Sequence, residues 1–119
     1  VGVWALDAAL TALIVRRVPF TNIDYEAYVK QVDSVIGGAL DYSMLRGPTG
    51  PIAYPAGFVW LFLGFRQAGL GIPQLQVVFS GMYLGTMACI FEVYRLARAP
   101  GWLLALCMLS KRVHSIYVL

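Results

Sequence analysis

Residues 74–96 run apolar for about 23 residues, with polar interruptions at Gln74, Gln76, Ser80, Thr86 and Glu92, and about 20 such residues carry a helix across the hydrocarbon of a bilayer. Backbone inside lipid must pair its own N–H and C=O groups, which a helix does and an open strand does not. The run therefore commits the chain to helices, with irregular segments kept to the membrane surface or a watered cleft. Within it, Gly81 and Gly85 form a small-x-x-x-small pair that predicts close approach of a neighbouring helix. Glu92, three residues before Arg95, predicts an ion pair on one helix face.

The remaining sequence agrees with a membrane setting. Of 119 residues, 60% are hydrophobic and 13% charged, against about 25% charged in soluble domains. Nine Lys/Arg against six Asp/Glu leave a net charge of +3, but the cations are scattered. Arg16, Arg17, Arg66, Arg95, Arg98, Lys111 and Arg112 sit at or near the ends of apolar runs, as expected of side chains meeting lipid headgroups. No nucleic-acid role follows from that pattern. Cys89 and Cys107 lie inside apolar runs without partners at metal or redox spacing and read as small buried hydrophobes. With Val1 at its start and an apolar run still open at Leu119, the chain is expected to be a fragment.

Taken in order, the expectation is an all-α, polytopic membrane protein. Residues 1–17 form the end of a first span closed by Arg16-Arg17, and residues 18–55 form a polar loop. Within the loop, residues 24–36 place Tyr25, Tyr28, Val29, Val32, Val35 and Ile36 at helical spacing, opposite Glu26, Lys30, Asp33 and Ser34. That is an amphipathic helix for the membrane interface, ended by Gly37-Gly38. A second span is expected over 52–66, a third over 73–97 and a fourth, truncated, over 102–119. The cluster 111–115, Lys-Arg-Val-His-Ser, interrupts the last run. Either it faces a cavity or charged partner at membrane depth, or the run is two shorter elements with the cluster at an interface.

Between the polar loop and the second span, Gly47, Pro48, Gly50, Pro51, Pro55 and Gly57 exclude a continuous helix and predict a stiff, bent connection. It reads as a turn feeding a helix or as the wall of a binding site. The chain has no phosphate-binding P-loop lysine, no dinucleotide fingerprint and no Cys-x-x-Cys. It has one histidine, so neither a metal site nor a cofactor is expected. Serine nucleophile chemistry lacks a motif.

Carboxylates remain. Asp24, Glu26, Asp33 and Asp41 share the polar segment with tyrosines and Arg46, a set suited to a hydroxyl-rich ligand. At about 100° per residue, Asp24 falls at the edge of the apolar face beside Tyr28 and Val35, whereas Glu26 and Asp33 point away. Thr21-Asn22-Ile23-Asp24 also fits a capping box with Asp in place of Glu, so capping and catalysis both stand for Asp24.

The stretches Thr21-Asn22-Ile23-Asp24-Tyr25 with Ala27-Tyr28, then Asp41-Tyr42, Gly47-Pro48-Thr49-Gly50-Pro51, Tyr54-Pro55-Ala56-Gly57-Phe58 and Arg112-Val113-His114-Ser115-Ile116 closely resemble the endoplasmic-reticulum family of dolichyl-phosphate-mannose-dependent α-1,3-mannosyltransferases. The resemblance covers residues 21–119 in order and spacing. It implies the multispan GT-C fold, a multi-pass endoplasmic-reticulum location with loop 18–55 lumenal, and an acidic residue in the first lumenal loop, here Asp24. It further implies dolichyl-phosphate mannose as donor, the dolichyl-diphosphate-linked Man5GlcNAc2 oligosaccharide as acceptor, and inversion at the sugar without a metal ion. On that footing Asp24 is the candidate base, with Tyr25 and Tyr54 as sugar-binding groups. Arg46, Arg112 and His114 are candidates for phosphate or diphosphate contact. The competing expectation is a non-enzymatic helical scaffold or transporter segment, since Gly- and Pro-broken helices occur there too.

Overall fold

The computed structural model describes residues 2–20 and 22–114. They form two compact units, one of residues 2–20 and 76–114, the other of residues 22–75.

In the first unit, α1 (Gly2–Arg17) ends on Arg16 and Arg17, whose positive charge suits the carbonyl-rich helix C-terminus. Most of α4 (Ile72–Leu96) belongs here, with α5 (Gly101–Met108) and α6 (Lys111–His114). Among the described residues α4 alone is long and apolar enough to cross a membrane. Tyr83, Met87 and Met108 are the buried centre, surrounded by Val3, Ile14, Phe79, Phe91 and Cys107 among others. Glu92 and Arg95 pair as their spacing predicts, with Arg95 Nε 2.8 Å from Glu92 Oε2.

The end of α4 closes in an unusual way. Ala99 N bonds Tyr94 O at 3.0 Å and Arg98 N bonds Arg95 O at 3.1 Å, the paired closure that normally puts glycine in the left-handed position. Here that position is Arg98, at φ 53°.

The apolar run after residue 100 is not one helix. α5 stops at Met108, and α6 starts at Lys111, its Val113 and His114 amides bonding back to Ser110 O. The expected fourth span thus resolves, over its described part, into two short elements around a break at Leu109-Ser110; residues 115–119 lie outside the described residues. The small-residue pair also departs from expectation. A Cβ added at Gly81 or Gly85 would meet nothing within 4 Å, and both glycines are exposed, so neither packs a helix among the described residues. A motif permits close approach without requiring it, and here α4 turns its Tyr83 and Met87 face inward instead.

In the second unit, α2 (Asn22–Ile36) occupies the expected amphipathic stretch. It ends as its glycines require. Ala39 N bonds Ser34 O and Gly38 N bonds Val35 O, both at 3.0 Å, with Gly38 at φ 96°, a conformation costly for any residue with a Cβ. Asp41 then caps a 3-10 turn at Tyr42–Met44, its Oδ1 accepting from Ser43 N at 2.9 Å and Ser43 Oγ at 2.7 Å.

The bent connection contains a small hairpin that helix-only reasoning did not anticipate. β1 (Arg46–Gly47) pairs antiparallel with β2 (Gly50–Pro51) around Pro48-Thr49, with Arg46 opposite Pro51 and Gly47 opposite Gly50. α2 packs against β1 and against α3 (Ala56–Gln67). The expected span 52–66 is helical only from Ala56, because Pro55 fixes its own φ at −68° and pushes Tyr54 toward extended backbone. The 12 residues of α3 make about 18 Å of helix, less than a bilayer crossing. Among the described residues, Ala27, Val32, Leu45, Val59, Phe62 and Leu75 are the buried apolar side chains of this unit.

Candidate functional site

The second unit gathers the sugar-binding candidates. α2 carries Asp24 in its first turn, exposed to solvent, and Tyr28 one turn later. Tyr28 meets an aromatic row built by the bent connection and α3. Its ring is 5.4 Å from Tyr54, 5.0 Å from Phe58 and 5.3 Å from Phe62, all edge to face. Tyr54 stacks on Phe58 at 4.4 Å with 26° between planes. Contacts of this kind contribute about 0.5–1.5 kcal/mol each beyond burial.

Two hydroxyls fix the position of Tyr54. Its own lies 3.4 Å from the Tyr28 hydroxyl, and its carbonyl accepts from the Tyr42 hydroxyl. Tyr54 is nevertheless 40% exposed, so part of its ring remains open to a ligand. The Tyr28 phenol ionises well above the ordinary value near 10. Burial is the main cause, since it penalises the phenolate. The hydrogen bond from and the charge of Tyr54 add to it, and the Asp24 carboxylate adds least. That last contribution puts Asp24 within electrostatic reach of Tyr28.

Other candidates in this unit stand apart from the aromatic row. Tyr25, half-buried on α2, is within electrostatic range of Arg66. Arg66 makes a two-pronged pair with Asp33 at 3.0 and 3.2 Å, so Asp33 is occupied. Arg46 is exposed on β1 and has no ion pair among the described residues. Asp24 likewise has no ion pair or hydrogen bond there, and the expected cap from Thr21 lies outside the described residues. A carboxylate that is exposed, unpaired and one turn from an aromatic platform is free to accept a proton from a hydroxyl bound over that platform. No group of His, Cys, Asp and Glu able to hold a metal ion occurs among the described residues.

The first unit holds His114 elsewhere. It is 7% exposed, with Nδ1 3.0 Å from Ser110 O and Nε2 3.1 Å from Asp7 Oδ1. The Tyr83 hydroxyl donates to both Asp7 oxygens at 3.0 and 2.9 Å. Both ring nitrogens of His114 are thus engaged inside the protein. Arg112 lies on the same turn, and its side chain is outside the described residues. Sequence reasoning passed over Asp7 and Tyr83. The available signal was Asp7 and Thr11 four apart on an otherwise apolar helix, both of which are buried.

Comparison with known proteins now adds to this geometry. The profile of the ALG3 protein family matches residues 1–119. Curated relatives named Dol-P-Man:Man(5)GlcNAc(2)-PP-Dol alpha-1,3-mannosyltransferase are similar. The Neurospora crassa protein is 42% identical over 99% of this chain and 27% of its own length. The Arabidopsis thaliana protein is 41% identical over 95% of this chain and 26% of its own, and the Homo sapiens protein 40% over 95% and 27%. The chain therefore spans about a quarter of the curated relatives it matches. No solved structure matches.

Proposed function

Because the chain belongs to the ALG3 protein family, a family of membrane proteins, we propose that it is part of an enzyme that transfers mannose from dolichyl-phosphate mannose in α-1,3 linkage to dolichyl-diphosphate-linked Man5GlcNAc2. The names of its relatives supply both substrates. The same reading takes the complete protein as a GT-C-type, multi-pass protein of the endoplasmic reticulum, with residues 18–55 lumenal. In it, residues 1–17, the helical part of 52–66 from Ala56, and 73–97 belong to successive spans, with 102–119 a fourth that the break at Leu109-Ser110 interrupts.

In such a transfer the acceptor hydroxyl attacks the anomeric carbon, loses its proton, and the dolichyl phosphate leaves with the bonding electrons. A carboxylate takes the proton and cations stabilise the departing phosphate. The observation that carries the assignment is Asp24, exposed and unpaired among the described residues, one turn from the Tyr28, Tyr54 and Phe58 platform. Asp24 is the base in this reading. Tyr54 offers a ring face to the sugar, and Tyr25 a hydroxyl. Arg46 and Arg112 are the phosphate contacts. His114 keeps its engagement with Asp7 and supports rather than touches the substrate.

The test is direct. Complete, purified protein incubated with both lipids should add one hexose to the acceptor, and the new bond should be cleaved by an α-1,3-specific mannosidase. Absence of transfer with well-folded protein would overturn the reading in favour of a scaffold.

A further inference from the structure

Asp7, Tyr83 and His114 come from three helices and meet in the interior of the first unit. His114 Nδ1 faces the Ser110 carbonyl oxygen and Nε2 a carboxyl oxygen of Asp7, and the Tyr83 hydroxyl lies 3.5 Å from that same ring nitrogen. The His114 and Asp7 side chains are 8% and 0% exposed, so these polar groups satisfy one another inside the unit.

A span that only had to cross lipid needs neither a buried carboxyl nor a break at Leu109-Ser110. Apolar side chains of similar size would join the helices at no cost in desolvation. What the cluster grips is the start of α6, set off from α5 by the break at Leu109-Ser110. The first turn of a helix is costly to form, so tertiary contacts help decide its position.

We propose that Asp7 and Tyr83 are positioning residues for this turn: by holding His114 they fix the backbone that carries Arg112, two residues earlier. This rests on the reading of Arg112 as a phosphate contact. Asp7 and Tyr83 do not touch substrate. Their effect reaches it through the placement of one cation.

The experiment uses the complete enzyme carrying Asp7→Asn or Tyr83→Phe, each alone and combined with Arg112→Ala, with thermal unfolding measured on the same samples. For dolichyl-phosphate mannose, kcat/KM should fall about 10-fold to 100-fold in Asp7→Asn, the scale of a displaced positioning group. It should fall less in Tyr83→Phe, which loses a hydroxyl and keeps its ring packing. In the Arg112→Ala background neither change should slow the enzyme further. Effects that multiply with an already impaired Arg112→Ala would overturn the positioning role and leave the phosphate reading intact. A fully active Arg112→Ala enzyme would remove the phosphate reading and this proposal with it. A lowered unfolding temperature with normal kcat/KM would reduce the cluster to a structural joint. If Asp7→Asn fails to fold, Tyr83→Phe decides by the same criteria.

Discussion

Replacing Gly47 by alanine tests how the second unit is put together. A Cβ at that position would lie 3.0 Å from the Ala27 carbonyl oxygen, 3.1 Å from its Cα and 3.4 Å from its carbonyl carbon. Comfortable carbon contacts begin near 3.5 Å, so β1 and α2 would have to separate by about 0.5 Å. All three obstructing atoms are helix backbone, and none can swing aside as a side chain would. Forced overpacking of this kind costs about 1–3 kcal/mol. The smaller entropy of an unfolded chain with alanine returns about 0.4–1 kcal/mol. The expected net loss is about 1–2 kcal/mol, enough to reduce the folded-to-unfolded ratio roughly 5-fold to 30-fold. Thermal unfolding of the purified complete protein, followed by tryptophan fluorescence, measures it. Gly57→Ala is the matched control, because a Cβ there meets nothing within 4 Å. Equal midpoints for Gly47→Ala and the control would refute the close packing of the hairpin on α2.

Gly85→Ala, in open space within α4, should raise stability by about 0.5–1 kcal/mol in the same assay, whereas a tight helix contact there would make it destabilising. Arg98→Gly should also stabilise, by about 0.5–1 kcal/mol, since it relieves a left-handed non-glycine residue at some cost in chain entropy; an unchanged midpoint would contradict the strain. Tyr28, whose folded pKa is raised above its unfolded value, contributes stability that is complete below about pH 10 and is lost as pH rises toward its folded pKa. Ultraviolet titration of wild type against Tyr28→Phe should show Tyr28 ionising after the exposed tyrosines, and early ionisation would contradict its burial beside Tyr54.

Residue pattern made the helical core of this fold legible. The membrane-length run of α4, the amphipathic period of α2 and its Gly37-Gly38 ending all express backbone physics that works within a few turns. The hairpin was harder to see, since two-residue strands have no period to detect, and Gly47 is required by contact with Ala27, which is 20 residues earlier. The same limit applies to the small-residue pair in α4, where spacing permits packing but only the fold decides which face turns inward. In the candidate site, the place of Asp24 in the first turn of α2 was readable from helical period and Tyr54 entered through the family resemblance, whereas the partnership of Asp7 with His114 depends on chain folding over 107 residues. A buried carboxyl in an apolar helix announces that a partner exists without identifying it.

The central claim, that Asp24 is the catalytic base, is tested most directly by turnover per folded molecule of Asp24→Asn in the complete enzyme, with mannose transfer and thermal stability measured on one preparation. Asparagine keeps the shape and a side-chain oxygen but does not take the hydroxyl proton as a carboxylate does. The account predicts turnover lower by about 10²-fold to 10⁴-fold with little change in unfolding. Normal turnover per folded molecule, with stability lowered by about 0.5–2 kcal/mol, would contradict it and make Asp24 a helix cap.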